Sequence, residues 1–413
     1  MDYKPLAKMF HESSSPNRFS DVETVAKARL EAESSFKIGI ETEYGELFLA
    51  SPRELSVLSE KVLRLERRVS SSMRGLPPIA RASLVRSLVM DEVVWTNDLE
   101  GIHSTRRQIG ELLVAIEDKS EAGPRDRFLE LTKLYMGLSD AEGAQPSKPE
   151  DIRKIYDRIM LGELADKDMP DGRLFRAQGV DIIGSGERVL HKGLEPERRI
   201  IEALEKMLAF ASSENVPRLY SAIASHYIFE HAHPFYDGNG RTGRYLLALY
   251  LSEPLSLLTS LSLSRTIAEN RDAYYRAFNE AQDPLNHGEL TFFVMDIMEL
   301  VRKAQSMILD DLEKKGDALE SANGTLYSMA QKHGLDEKDA NIIFMLVQIG
   351  LFGAPESATL EEIANHIGLG TQMTRKRLVG LEDEGLVEVV KKRPLRFTLS
   401  KQAESAFGIK AEE

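Results

Sequence analysis

His233-Pro234-Phe235-Tyr236-Asp237-Gly238-Asn239-Gly240-Arg241-Thr242-Gly243-Arg244 combines a base, a carboxylate, two closely spaced glycines and two arginines. A neutral imidazole accepts a proton from a hydroxyl near neutral pH. A lone carboxylate suits Mg²⁺, which keeps its waters and takes one or two carboxylates plus phosphates. Glycines at a helix start let backbone N–H groups approach an anion. Arg241 and Arg244 are three apart, so they share one helical face and offer forked donors to a polyphosphate. Together these residues describe phosphoryl or nucleotidyl transfer, in which positioning and charge neutralisation carry most of the catalysis.

Two other readings compete. Gly238 to Gly243 formally fits the G-x-G-x-x-G dinucleotide fingerprint, but that site needs a preceding strand. Here Leu219, Ala222, Ile223 and Tyr227 give helical spacing instead. His226, His231 and His233 with Asp237 form the second rival, a transition-metal site. His226 and His231 are five apart and off one helical face, and no H-E-x-x-H pattern occurs.

The rest of the chain sets bounds. Its 413 residues exceed one ordinary core and predict two or three domains. There is no cysteine, so disulfides, thiolate nucleophiles and Cys-based zinc sites are excluded. A net charge of −13 argues against general affinity for nucleic acid or anionic membrane. No apolar run is long enough to span a bilayer and no signal core follows Met1, so the expectation is a cytoplasmic protein.

Periodicity predicts a mainly α chain. Helices are expected from Pro52, over about 78–99, 106–117, 126–138 and 149–161, then 196–212, 217–232, 241–252, 266–281 and 288–314. Residues 1–50 are weakly patterned. Val180–Ile183 and Arg188–His191 around Gly184-Ser185-Gly186 read as a hairpin. The polar, glycine-containing stretch 315–335 reads as a linker. Helices at about 337–349, 359–366 and 371–384 follow, then short strands at Val387–Val390 and Arg396–Leu399, the order of a winged helix-turn-helix.

The opening stretch matches, position for position, the H-x-F-x-[DE]-G-N-G-R-x-x-R signature of the Fic family, and Ala224–Glu230 resembles that family's lead-in helix. The resemblance implies AMPylation: AMP moves from ATP to a Ser, Thr or Tyr hydroxyl of a protein. His233 would then be the catalytic base, and Asp237 would hold Mg²⁺ or Mn²⁺. Gly238, Asn239 and Gly240 would form the anion hole, Arg241 and Arg244 would grip the β- and γ-phosphates, and Phe235 would be a core anchor. The 180–194 hairpin resembles a flap on which an extended segment of the target protein docks by β-augmentation. Asn270–Phe278 resembles the adenine-pocket region, with Tyr275, Phe278 and Gln282 facing the base.

Thr96-Asn97-Asp98-Leu99-Glu100-Gly101 matches the family's short inhibitory pattern, [S/T]-x-x-x-E-[G/N]. Thr96 and Glu100 are four apart and point from one helical face. The resemblance implies that Glu100 occupies Arg244 and repels the nucleotide; in some relatives the same glutamate supports AMP removal. The expected organisation is an N-terminal helical region with the inhibitory helix (1–120), a Fic domain with its hairpin (121–314), a linker (315–335) and a winged helix-turn-helix domain (336–413).

Lys391, Lys392, Arg393 and Arg396 of the wing, with the basic residues of the helix from Thr371, suit DNA phosphates. Glu382, Asp383, Glu384 and Glu388 oppose that reading, and such modules also mediate homodimerisation or protein docking. Three functions therefore stand together: a self-inhibited adenylyltransferase, a nucleotide-sensing DNA-binding regulator, and a Fic transferase of UMP, phosphate or another group.

Overall fold

The computed structural model describes residues 3–117, 127–138, 145–183, 189–353 and 357–409. It is mainly helical, with three small antiparallel sheets. Among the described residues, no helix is long and apolar enough to cross a membrane.

Two compact units account for the chain. The first comprises residues 1–67, 92–104 and 125–306; the second comprises 68–91, 105–124 and 307–413. These units do not follow the boundaries read from the sequence. The helices Arg53–Gly75, Pro78–Leu99 and Thr291–His333 each contribute residues to both.

At the centre of the first unit are the helices Arg218–Ala232 and Asn239–Leu251. Both are buried around nearly their whole circumference: Leu219 to Phe229 and Arg241 to Leu251 are all shielded from solvent. A helix apolar on every side needs other elements to cover it. Helix Glu197–Ser212 packs along the first, and helix Pro149–Ile159 against the second. The hairpin of Asp181–Ile183 and Val189–Lys192 is present, with Asp181 opposite Lys192; its predicted turn at 184–188 lies outside the described residues.

The N-terminal region departs from the helical expectation. Besides helices Leu6–Glu12 and Arg18–Leu30 it contains a hairpin, Ser35–Thr42 with Gly45–Ala50. Ile38 and Ile40 alternate inward, the period of a half-buried strand. Helix 266–281 is split at Asn270, giving Leu263–Glu269 and Arg271–Ala281.

In the second unit the stretch 315–335 is not a linker but helix as far as His333. Gly316 and Gly324 each weaken a helix by about 1 kcal/mol relative to alanine. Burial outweighs that cost: Ala322, Leu326 and Met329 recur at helical spacing and pack on a core with Ile342, Leu346, Leu378 and Phe397. Helices Glu337–Phe352, Leu360–Ile367 and Thr371–Asp383 follow, then the strands Val387–Lys392 and Leu395–Leu399; Ala358–Thr359 adds a third strand.

Candidate functional site

Helix Arg218–Ala232 ends at His233 because Pro234 follows, and a residue before proline is pushed out of the α region. His233 adopts a left-handed conformation, φ 48° and ψ 62°, while its N–H still donates to the Phe229 carbonyl at 3.0 Å. That conformation costs a non-glycine residue about 1–2 kcal/mol, so the surroundings must hold it.

Arg176 does so. Its Nε donates to the His233 carbonyl at 2.7 Å, and its other nitrogens donate to the carbonyls of Gln178 (2.6 Å), Leu194 (2.9 Å) and Ala232 (3.4 Å). Gln178 and Leu194 flank the hairpin, so one buried guanidinium fastens the turn that carries His233 to both hairpin stems. Gly193 makes room, since a Cβ there would collide with the guanidinium. Sequence reading missed Arg176 because it stands in an unpatterned loop, with acceptors that are all backbone. Replacing it takes a donor from the part-buried carbonyls of His233, Gln178 and Leu194, at about 1 kcal/mol for each bond lost. Arg176→Ala is therefore expected to lower the melting temperature by a few degrees in calorimetry, and Arg176→Lys to restore only part of the loss.

The turn from Pro234 to Gly238 is clamped from within. The Asn239 side chain accepts from the Phe235 N–H (3.0 Å) and donates to its carbonyl (2.8 Å). One N–H of its amide is thus committed to the turn. Phe235 is fully buried and stacks on Tyr156, ring centroids 3.5 Å apart. Gly238 caps the next helix at φ 80°. Asp237 is exposed, with Oδ1 accepting the Gly238 N–H at 2.7 Å. Among the described residues no cluster of three His, Asp or Glu could hold a metal. Asp237 alone fits a hard cation whose other ligands are water and phosphate.

The two arginines part company. Arg244 is buried; its Nε donates to Thr96 Oγ1 (2.9 Å), and one terminal nitrogen donates to the Thr96 carbonyl (2.9 Å) and to Glu100 Oε1 (2.7 Å). Burial alone would lower the Arg244 pKa, but the Glu100 carboxylate beside it turns the net shift upward. Glu100 also lies against Gly240, where a Cβ would strike its carboxylate, so it covers the first turn of the motif helix. Glu230 approaches the same helix at Gly243; desolvation pushes its carboxyl up to about 8, opposed by Arg244 and assisted by Glu100.

Arg241 turns to other partners, although its spacing places it beside Arg244. It is 1% exposed and donates to Glu163 Oε2 at 2.9 Å and to the Met160 sulfur at 2.9 Å. Residues three apart diverge by about 60° around a helix, enough for two long side chains to find different partners.

His226 is also buried. One ring nitrogen, Nδ1, lies 3.1 Å from the Gly243 carbonyl, and Nε2 lies 2.7 Å from the Tyr274 hydroxyl. A carbonyl only accepts, so Nδ1 carries the proton and Nε2 accepts from Tyr274. Both nitrogens are engaged, which removes His226 from any metal site. Burial, then the Arg244 charge, lowers its pKa to about 3. The unfolded chain therefore binds an extra proton between about pH 3 and 6.5, and stability falls as pH drops through that window. His226→Gln is expected to reduce the pH slope of urea-unfolding free energy there by up to about 1.4 kcal/mol per pH unit.

The adenine-pocket candidates do not share one environment. Tyr275 is exposed, and Gln282 caps the end of its helix. Phe278 turns into an aromatic cluster with Tyr274 and Phe293, centroids 5.2 and 4.8 Å away, so its main part is core packing.

Residues 146–251, which include every motif residue from His233 to Arg244, match the family model of the Fic/DOC family. This segment is a Fic domain. Fic domains are known for transferase activity such as AMPylation and typically bind nucleotide with a divalent metal. A Fic family protein from Desulfovibrio desulfuricans G20 is similar in fold, with a TM-score of 0.50 and 18% identity over 88% of this chain and 98% of its own. Fic-1 (residues 134–508) of C. elegans gives a TM-score of 0.44 and 18% identity, over 63% of this chain and 74% of that one. A Fic domain containing signaling protein from Bacteroides thetaiotaomicron gives 0.40 and 17%, over 63% and 97%.

Proposed function

We propose that this Fic domain transfers AMP from ATP to a Ser, Thr or Tyr hydroxyl of a target protein and is held inactive by Glu100. The observation that carries the reading is the position of the Glu100 carboxylate. It pairs with Arg244 and covers Gly240 at once, the two places where a nucleotide phosphate would find a cation and helix N–H donors.

In the proposed reaction His233 takes the proton of the target hydroxyl. The freed oxygen attacks the α-phosphorus, its bond to the β-phosphate oxygen breaks, and pyrophosphate leaves. Arg244, once released, and the first-turn N–H groups of the motif helix take up phosphate charge. Mg²⁺ or Mn²⁺ on Asp237 would supply further neutralisation when bound. The hairpin edge would align an extended segment of the target. Arg241 is engaged by Glu163, so the phosphate grip rests on Arg244.

The test incubates the Glu100→Gly protein with each of the four nucleoside triphosphates, labelled on the α-phosphate, and maps adducts by mass spectrometry. AMP on a hydroxyl side chain is the expected result. UMP or phosphate adducts would reassign the transferred group, and no adduct on itself or on lysate proteins would turn the reading towards nucleotide sensing.

A further inference from the structure

We infer that the C-terminal helices and hairpin of the second unit form a winged helix that binds duplex DNA through the start of helix Thr371–Asp383 and the tip of the hairpin. The inference is independent of the transfer reaction. Helices Leu360–Ile367 and Thr371–Asp383 are joined by three residues, Gly368-Leu369-Gly370, with Gly368 left-handed at φ 65° and the Leu369 N–H donating to the Ala364 carbonyl at 3.0 Å. That tight, glycine-containing joint is the helix-turn-helix connection. Thr374, Leu378 and Leu381 fix the second helix on the core. Its opposite side, with Gln372, Met373, Arg375 and Lys376, faces solvent.

The distribution of charge selects the partner. Two basic residues are already spent inside the unit: Arg377 pairs with Asp336 and Asp339 at 2.8 Å, and Arg396 is 2% exposed. Arg375 and Lys376 remain on the early turns, and Lys392 and Arg393 at the hairpin tip, all exposed. Glu382, Asp383 and Glu384 stand at the far end of the same helix, about 15 Å from Gln372 at 1.5 Å per residue. Glu384 is moreover 2.8 Å from His333. The N-terminal half of a recognition helix is the part that reaches base edges. Gln and Arg there suit adenine and guanine, and the exposed Met373 suits a thymine methyl. A chain of net charge −13 resists general adhesion to DNA, so the contact must come from this local patch.

The experiment titrates the full chain against a fluorescent mixed-sequence duplex from about 50 to 200 mM salt, following anisotropy. Binding that weakens with salt is expected. Lys392→Ala with Arg393→Ala should reduce affinity at least about tenfold and make the logarithmic salt slope shallower by about 2. Gln372→Ala with Arg375→Ala should also weaken binding, with unchanged thermal melting in every variant. Absence of binding at low salt, or equal binding by wild type and both variants, would overturn the inference. So would loss of self-association in sedimentation, without any effect on DNA, since that marks the face as a protein interface.

Discussion

Glu100→Gly is expected to raise AMP transfer and automodification by about 30- to 1,000-fold, the equivalent of roughly 2–4 kcal/mol at 1.36 kcal/mol per tenfold. Glu100 Oε1 lies 2.7 Å from the Arg244 guanidinium, and Arg244 is 3% exposed, so the pair sits where screening is weak. A triphosphate must displace that carboxylate to reach Arg244, and it meets like charge over Gly240 while doing so. Glycine removes both obstacles. Arg244 does not collapse, because the Thr96 hydroxyl and carbonyl still hold it at 2.9 Å. Glycine also leaves the buried Arg244 guanidinium without its carboxylate, so Glu100→Gly is expected to melt at a lower temperature than wild type. Glu100→Gln, which keeps the size and drops the charge, should fall between wild type and glycine. ATP affinity, measured by calorimetry, should rise in the same order. Equal transfer rates in all three proteins would remove the brake from this account.

The parts of the site legible in the sequence were those whose residue type is fixed by chemistry at short range. Gly238 has to adopt φ 80°, and Gly240 has to admit an approaching anion, so the motif carries its own geometry. The Glu100–Arg244 contact spans 144 positions and was legible only because a known inhibitory pattern accompanies the motif. No pattern announced the contact between Arg241 and Glu163, 78 positions apart. Arg176 was invisible because backbone carbonyls, present at every residue, are its acceptors. The fold shows the same division. Helices with a clear apolar period appeared near their expected bounds, Pro149–Ile159 with Ile152, Tyr156 and Ile159 turned inward among them. The stretch 315–335 was misread because its helix depends on the tertiary burial of Ala322, Leu326 and Met329, which overrides glycine content.

His233→Ala in the Glu100→Gly background is expected to cut AMP transfer by about 10²- to 10⁴-fold, the usual contribution of a positioned general base. ATP binding should be unaffected, since the proposed reaction gives the phosphates to Arg244 and the motif-helix backbone. The left-handed backbone at position 233 permits a stricter version of the test. His and Ala both bear a Cβ and both resist φ 48°, whereas glycine accepts it freely. His233→Gly should therefore be as inactive as His233→Ala yet more stable by about 1 kcal/mol, visible as a rise in melting temperature. If activity instead tracked stability across the two variants, the residue would matter for the turn and not for the proton. If both retained the parent rate, the base would have to be sought elsewhere. The opposite movement of stability and a uniformly lost rate separates the strain at this residue from its chemistry. Arg176 then stands as the group that keeps a strained turn in register, through its 2.7 Å bond to the His233 carbonyl.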